Sequence, residues 1–278
     1  PHNTVEAVDA VVLSGGSAFG LDAASGAQAA QVEMGRGFAV GPNRIPIVPA
    51  AILIDLLNGG DKEWGQYAPY RDLGYQAIQN ASADFGLGSQ GAGTGAMTAN
   101  LKGGLGSASC VVETAGVTLG ALVAVNPMGA VTVGDTPHFW AAPFEIGDEF
   151  GGLSLPEPLP PDVTALRLKF RDPASSAPLN TTIAVIATDA RLSKAECKRL
   201  AIASHDGFSR AIWPCHTPFD GDLVFALSTG KRDLEGGSEN FVDLCAAAAS
   251  TMARAIARGV HAATPAEGDI FPTWRNRF

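Results

Sequence analysis

No apolar run in this sequence reaches the roughly eighteen residues that a membrane-spanning helix needs. The best stretch, Val117 to Val131, is broken by Asn126, Pro127 and two glycines, so no membrane association is expected. Basic clusters are also missing. With a formal net charge of −9 and no grouped Lys or Arg to neutralise phosphates, a nucleic-acid partner is not expected. Cysteine is scarce: Cys110, Cys197, Cys215 and Cys245 stand far apart with no C-x-x-C pair, which indicates neither a disulfide framework nor a metal site. Isolated thiols suit a reducing compartment, so a cytoplasmic location is expected. The chain opens at Pro1 without an initiator Met or a signal peptide, and its natural start is expected to lie upstream.

What is present points to a compact enzyme. The 278 residues are 46% hydrophobic, enough for a large core, and length alone allows one big domain or two ordinary ones. The 33 glycines and 18 prolines against 17% charged residues favour frequent turns and close backbone packing over a helical bundle.

Hydrophobic spacing predicts a strand over 9–13, a glycine turn at Ser14-Gly15-Gly16, and a helix marked by Leu21, Ala24, Ala27, Ala30 and Met34. Further elements are a short strand over 50–54, a helix over 71–81, β segments over 107–112 and 117–125 with Gly116 between them, and a third β piece over 131–133. Residues 145–180, punctuated by six prolines, read as a mobile linker. The β-branched run Thr181 to Asp189 follows as a strand. Ser193-Lys-Ala-Glu196 has capping-box spacing and opens a helix. A strand over 223–228 and an Ala-rich helix over about 240–263 complete the pattern, which suits a layered α+β enzyme.

Several motifs suggest chemistry and most have a plainer reading. Gly86-x-Gly88-x-x-Gly91 matches the dinucleotide fingerprint, but it lacks the strand before and the helix after, so a glycine loop packed beside an active site is expected. Gly15-Gly16-Ser17-Ala18-Phe19 falls short of a nucleophile elbow because Phe19 replaces the second glycine; Ser17 is read as a helix cap, and no Ser is placed on a strained turn. His2, His138, His205, His216 and His261 are read as structural. Asn180-Thr181 permits more: a Thr hydroxyl becomes a useful nucleophile when a base removes its proton, and cleavage before Thr181 would create a free α-amine as that base. Two threonines starting a strand have an equally ordinary structural reading.

A set of motifs decides between them. Leu13-Ser-Gly-Gly-Ser-Ala-Phe-Gly-Leu-Asp-Ala23, Gly91-Ala-Gly-Thr-Gly-Ala96, Lys102-Gly-Gly-Leu-Gly106, Asn126-Pro-Met-Gly129, Asn180-Thr-Thr-Ile183 and His216-Thr-Pro-Phe-Asp-Gly-Asp222 occur in one order across nearly the whole chain. Together they resemble the L-aminopeptidase/D-esterase family of self-cleaving hydrolases, which includes β-peptidyl aminopeptidases and the nylon-oligomer endo-hydrolases. Most aminopeptidase members use Ser as nucleophile; the Thr-Thr pair here is similar to the nylon-oligomer enzymes.

The resemblance implies an α+β fold, a four-layer αββα sandwich, formed by a single self-processing domain over 1–278 that cuts itself at Asn180–Thr181 into chains 1–180 and 181–278. It implies Thr181 as nucleophile, Asp220 and Asp222 as the carboxylates that orient it, Asn126 as an oxyanion donor, Lys102 as a lysine near the nucleophile, and Tyr67 as a substrate-binding tyrosine. No cofactor or metal is called for. The expected partners are a small amide, peptide, β-peptide or nylon-type oligomer substrate and further copies of the chain, in a homo-oligomer such as a tetramer. Two rivals stand beside hydrolysis: an acyltransferase of the ornithine acetyltransferase type, whose cleavage motif differs at the residues flanking Thr181, and a binding protein that never processes.

Overall fold

A computed structural model describes residues 4–170 and 180–278. Its centre is a four-stranded sheet in the order β5 (Gly104–Val112), β6 (Val117–Val125), β7 (Ile183–Ala190) and β8 (Leu223–Arg232). The β5/β6 and β6/β7 pairs are antiparallel; β7 and β8 run parallel, joined by helix α3 (Lys194–Ala211). Side chains alternate across these strands, as a period of two dictates. Val117, Leu119, Ala121, Val123, Ala184 and Ile186 face a core closed by α3 and by α4 (Gly237–His261), whose Leu244, Ala248, Met252 and Ile256 are buried there. Ala124, Ile183, Leu223 and Phe225 face the other way, into a second core.

That second core is closed by a small parallel pair, β1 (Val12–Ser14) and β4 (Ala50–Ile52), through Leu13, Ala51 and Leu53. Outside it lie α1 (Asp22–Glu33) and α2 (Tyr70–Gln79). These two helices meet backbone to backbone: a Cβ on Gly26 would stand 1.8 Å from the Arg71 carbonyl oxygen, and one on Gly74 would stand 2.0 Å from that of Ala23. The layer order is therefore helix, sheet, sheet, helix, with the outer sheet reduced to two strands. A separate antiparallel hairpin, β2 (Phe38–Val40) and β3 (Asn43–Ile45), is exposed, and a short α5 (Trp274–Arg277) follows α4.

Local rules account for most boundaries. Ser193 accepts from the Glu196 amide and Glu196 reaches back to Ser193, a reciprocal cap on α3, of a kind that contributes about 1 kcal/mol. Gly116, in the left-handed conformation, turns β5 into β6. Three expectations need correction. Residues 131–133 form no strand; their one bridge is the isolated pair Thr132 to Phe139, with another, Ala130 to Trp213, just before them, and among the described residues no neighbouring segment continues the pairing. Ser17 makes no capping bond. Gly16 precedes the short 3-10 turn, and Ser17 itself takes φ 54°, as His216 takes φ 51°, so strained non-glycine backbone does occur. The supposed linker is anchored over much of its length: Phe150 and Lys169 are each 1% exposed, and Glu149 pairs with Arg254 of α4 at 2.6 Å. Positions 171–179 of that segment lie outside the described residues.

Candidate active site

The parallel register of β7 and β8 builds the site. Pairing Ile183 with Leu223 carries back one turn to a bridge between Asn180 and Asp220, so residues 180–182 run beside residues 220–222 although forty positions separate them in sequence. Both segments are fixed by main-chain bonds. Asn180 N donates to Phe219 O (3.0 Å), Gly221 N donates to Asn180 O (2.9 Å), and Leu223 N donates to Thr182 O (3.2 Å).

Around the Asn180–Thr181 peptide, every polar atom has a partner. The Asn180 carbonyl oxygen accepts from Gly221 N and also from Thr181 Oγ1 at 2.5 Å. On the other side of the bond, Thr181 N donates to the Asn126 carbonyl oxygen at 3.2 Å. Thr181 is 8% exposed and Thr182 is fully buried. A Cβ on Gly221 would lie 3.0 Å from Thr181 Oγ1, so the segment carrying Asp220 and Asp222 passes the hydroxyl more closely than a side chain at 221 would comfortably allow.

The two carboxylates do different things. Asp220 Oδ1 accepts from Met128 N (3.0 Å), and Oδ2 accepts from Thr217 N and Oγ1 (2.9 and 2.7 Å), which ties its loop to the Asn126-Pro-Met-Gly129 turn. Asp222 Oδ1 accepts from Thr182 N (2.7 Å), and Oδ2 pairs with His216 Nδ1 (2.8 Å). His216 is held above the usual histidine range by that bond; its ring contacts His205, which burial pushes down. An ion pair between His216 and Asp222 was not among the sequence expectations, although both residues lie in one motif.

Asn126 is fully buried at the end of β6. Its Nδ2 donates to Ile54 O (2.9 Å), and its Oδ1 accepts from Met97 N (3.0 Å) and from Lys169 Nζ (2.9 Å). The Met97 amide is delivered by the glycine-rich loop between residues 86 and 103, just before β5. The first N–H on the Asn180 carbonyl is thus the Gly221 amide, and the Asn126 main-chain oxygen holds the nitrogen side of the bond.

Lys102 is elsewhere engaged: buried at 4% exposure, it forms an ion pair with Asp269 at 2.7 Å. The ammonium at Asn126 belongs to Lys169, whose burial pushes its pKa down to about 7 against the opposing charges of Asp220 and Asp55. Tyr67, 75% exposed, lines an outer cavity of about 690 Å³ with Phe19 and Trp64 and has no bond to the Thr181 group. A second cavity, of about 540 Å³, shares Lys62 and Trp64 with it and is lined by Leu13, Asp55, Tyr70 and Leu73. Burial raises the Asp55 pKa, and burial with the Asp55 charge takes Tyr70 to about 12. Ile54, which accepts from the Asn126 amide, directly precedes Asp55 of this cavity, so the cavity is linked to Asn126 through adjacent residues.

In sequence and fold the chain is similar to known proteins. Residues 1–270 match the profile of peptidase family S58. An uncharacterized aminopeptidase of Mycobacterium tuberculosis (strain H37Rv) is 42% identical over 289 residues, spanning all of this chain and 80% of the relative. A 6-aminohexanoate-oligomer endohydrolase of Kocuria sp. is 28% identical over 81% of this chain and 61% of its own. Among solved structures, the L-aminopeptidase D-Ala-esterase/amidase of Ochrobactrum anthropi, described as a variant of the Ntn hydrolase fold, superposes with a TM-score of 0.59 at 22% identity, over 92% of this chain and 69% of that one. A β-aminopeptidase from Burkholderia sp. gives 0.58 at the same identity, over 92% of this chain and 69% of its own. The fold is therefore the αββα sandwich of these enzymes, and the chain belongs to peptidase family S58.

Proposed function

We propose that this protein is an amide hydrolase that activates itself by cutting Asn180–Thr181 and then uses the freed Thr181 as an N-terminal nucleophile. The observation that carries the reading is the anchored peptide: Gly221 N sits on the Asn180 oxygen, Asn126 O sits on the Thr181 nitrogen, and Thr181 Oγ1 lies against the same carbonyl. In the self-cleavage step Oγ1 attacks the Asn180 carbonyl carbon, the developing oxyanion is held by the Gly221 amide, and the C–N bond breaks as the nitrogen takes up a proton. Water then hydrolyses the ester, leaving an Asn180 carboxylate on chain 1–180 and a free amine on chain 181–278.

Turnover repeats the chemistry on a substrate. Thr181 Oγ1, its proton taken by its own α-amine, attacks the substrate amide, the leaving amine departs protonated, and water resolves the acyl-enzyme. Asp222 holds the nucleophile strand through Thr182 N, and Asp220 holds the Asn126 turn through Met128 N. The acyl part of the substrate occupies the cavity at Leu13, Trp64, Tyr70 and Asp55, where a carboxylate beside aromatic walls suits a substrate ammonium. Aminoacyl amides, small peptides and aminohexanoate-type oligomers all fit that description; one relative is named an aminopeptidase and another a 6-aminohexanoate-oligomer endohydrolase. The assembly is expected to be a homo-oligomer.

The test is turnover of a panel of amino-acid p-nitroanilides, β-amino amides and aminohexanoate oligomers by the processed protein. Hydrolysis of at least one class, with none by an intact Thr181→Ala chain, is the expected result. Efficient acyl transfer to an added amine with negligible hydrolysis would favour the acyltransferase alternative.

A further inference from the structure

Lys169 is a buried titratable group that the mechanism above leaves unused. It is 1% exposed, its main-chain N donates to Met128 O at 2.9 Å, and its Nζ donates to both oxygens of Asn126, at 2.9 Å to Oδ1 and 3.4 Å to the main-chain O. That same main-chain O accepts from Thr181 N. Lys169 Nζ and the Thr181 nitrogen thus share one acceptor atom, which keeps them within two hydrogen-bond lengths of each other. Burying an ammonium is costly, and a methionine of similar length would fill the space without that cost.

We propose that Lys169 is a positioning residue for the catalytic amine: it clamps Asn126 through both oxygens and sets its own charge beside the Thr181 nitrogen that must take the hydroxyl proton. The proposal rests on the reading of Thr181 as an N-terminal nucleophile. A like charge at this range disfavours protonation of the α-amine and so keeps it available as a base near neutral pH. The two nitrogens titrate as a coupled pair, which holds one proton more readily than two. Burial brings Lys169 into the same pH range as an α-amine. The other charged groups facing this pair are Asp220 and Asp55, which act on Lys169, and Asp222, which holds Thr182 N and pairs with His216; Lys102 is tied to Asp269.

The test is the pH dependence of kcat/KM on an amino-acid p-nitroanilide for processed wild type, Lys169→Met and Lys169→Arg, since this profile reports the free enzyme's catalytic base. Lys169→Met is expected to move the acid limb up by about one pH unit and to recover activity at alkaline pH, whereas Lys169→Arg, which keeps a charge, leaves the limb near the wild-type position. An unmoved limb in Lys169→Met, or a loss equal at every pH, overturns the proposal. If Lys169→Met does not fold, Lys169→Gln keeps a donor to Asn126 without the charge and reads the same limb. If neither variant is processed, a wild-type limb at or above the ordinary α-amino range of about 7.7–8.0 overturns it and one clearly below supports it. A wild-type chain that stays whole and inactive contradicts the underlying reading instead.

Discussion

The amide nitrogen of Gly221 donates to the carbonyl oxygen of Asn180 across 2.9 Å, and the absent side chain of Gly221 leaves the space that Thr181 Oγ1 occupies. A methyl group at 221 would stand 3.0 Å from that oxygen, so the Thr181 hydroxyl must yield by a few tenths of an ångström. Gly221→Ala is expected to fold and to slow chain splitting by up to about 10²-fold, the size of effect that small misplacement of a reacting atom produces. Following the two chains by denaturing electrophoresis over time measures it; splitting at the wild-type rate would show that the close approach is of no consequence.

Asp220 and Asp222 are expected to matter by separate routes. Asp222→Asn keeps the shape but weakens the hold on Thr182 N and removes the charge facing His216, whereas Asp220→Ala frees the Met128 turn from its loop. Asp220→Ala and Asp222→Ala should each impair self-cleavage and amide turnover alike, because in the proposed mechanism the two reactions use one nucleophile. Rapid splitting with normal turnover in both would reduce the pair to a surface turn.

Asn126→Ala removes the acceptor for Met97 N and Lys169 Nζ in a fully buried place. Leaving such groups unpaired costs about 1–3 kcal/mol, so thermal unfolding should show destabilisation as well as a fall in turnover of roughly 10²–10³-fold if the side chain also aids the oxyanion. Destabilisation with unchanged turnover would reassign Asn126 to a structural turn.

The His216–Asp222 pair carries a pH signature. Its folded pKa is raised by the hydrogen bond to Asp222, so its stabilising contribution is complete below the ordinary histidine value of about 6.5 and disappears as pH rises through the raised folded value. The difference in melting temperature between wild type and His216→Gln should therefore be larger at pH 6 than at pH 9. A difference that is constant or grows with pH would contradict the assignment.

Much of this arrangement was legible in the sequence where local rules apply. The β-branched run after Thr181, the Ser193–Glu196 cap and the apolar face of α4 each follow from spacing alone. Ordered motifs also indicated that residues 180–182 and 220–222 belong together, and the parallel β7/β8 register is what sets them side by side. Lys169 was not legible: it follows Leu166-Arg-Leu in a proline-punctuated stretch that reads as a mobile linker, and only tertiary packing buries it. Lys102, by contrast, lies in a recognisable motif yet its charge is taken by Asp269, more than 160 positions away. The role of the Gly221 amide escaped notice because main-chain donors carry no mark in the sequence.

The account depends above all on Thr181 becoming a chain terminus. Intact-mass measurement with N-terminal sequencing of the purified wild-type protein, alongside Thr181→Ala, tests it most directly. The account predicts a small chain beginning Thr-Thr-Ile-Ala in the wild type and a single uncut, inactive chain in the variant; a wild-type protein that hydrolyses amides while its Asn180–Thr181 bond remains whole would contradict it.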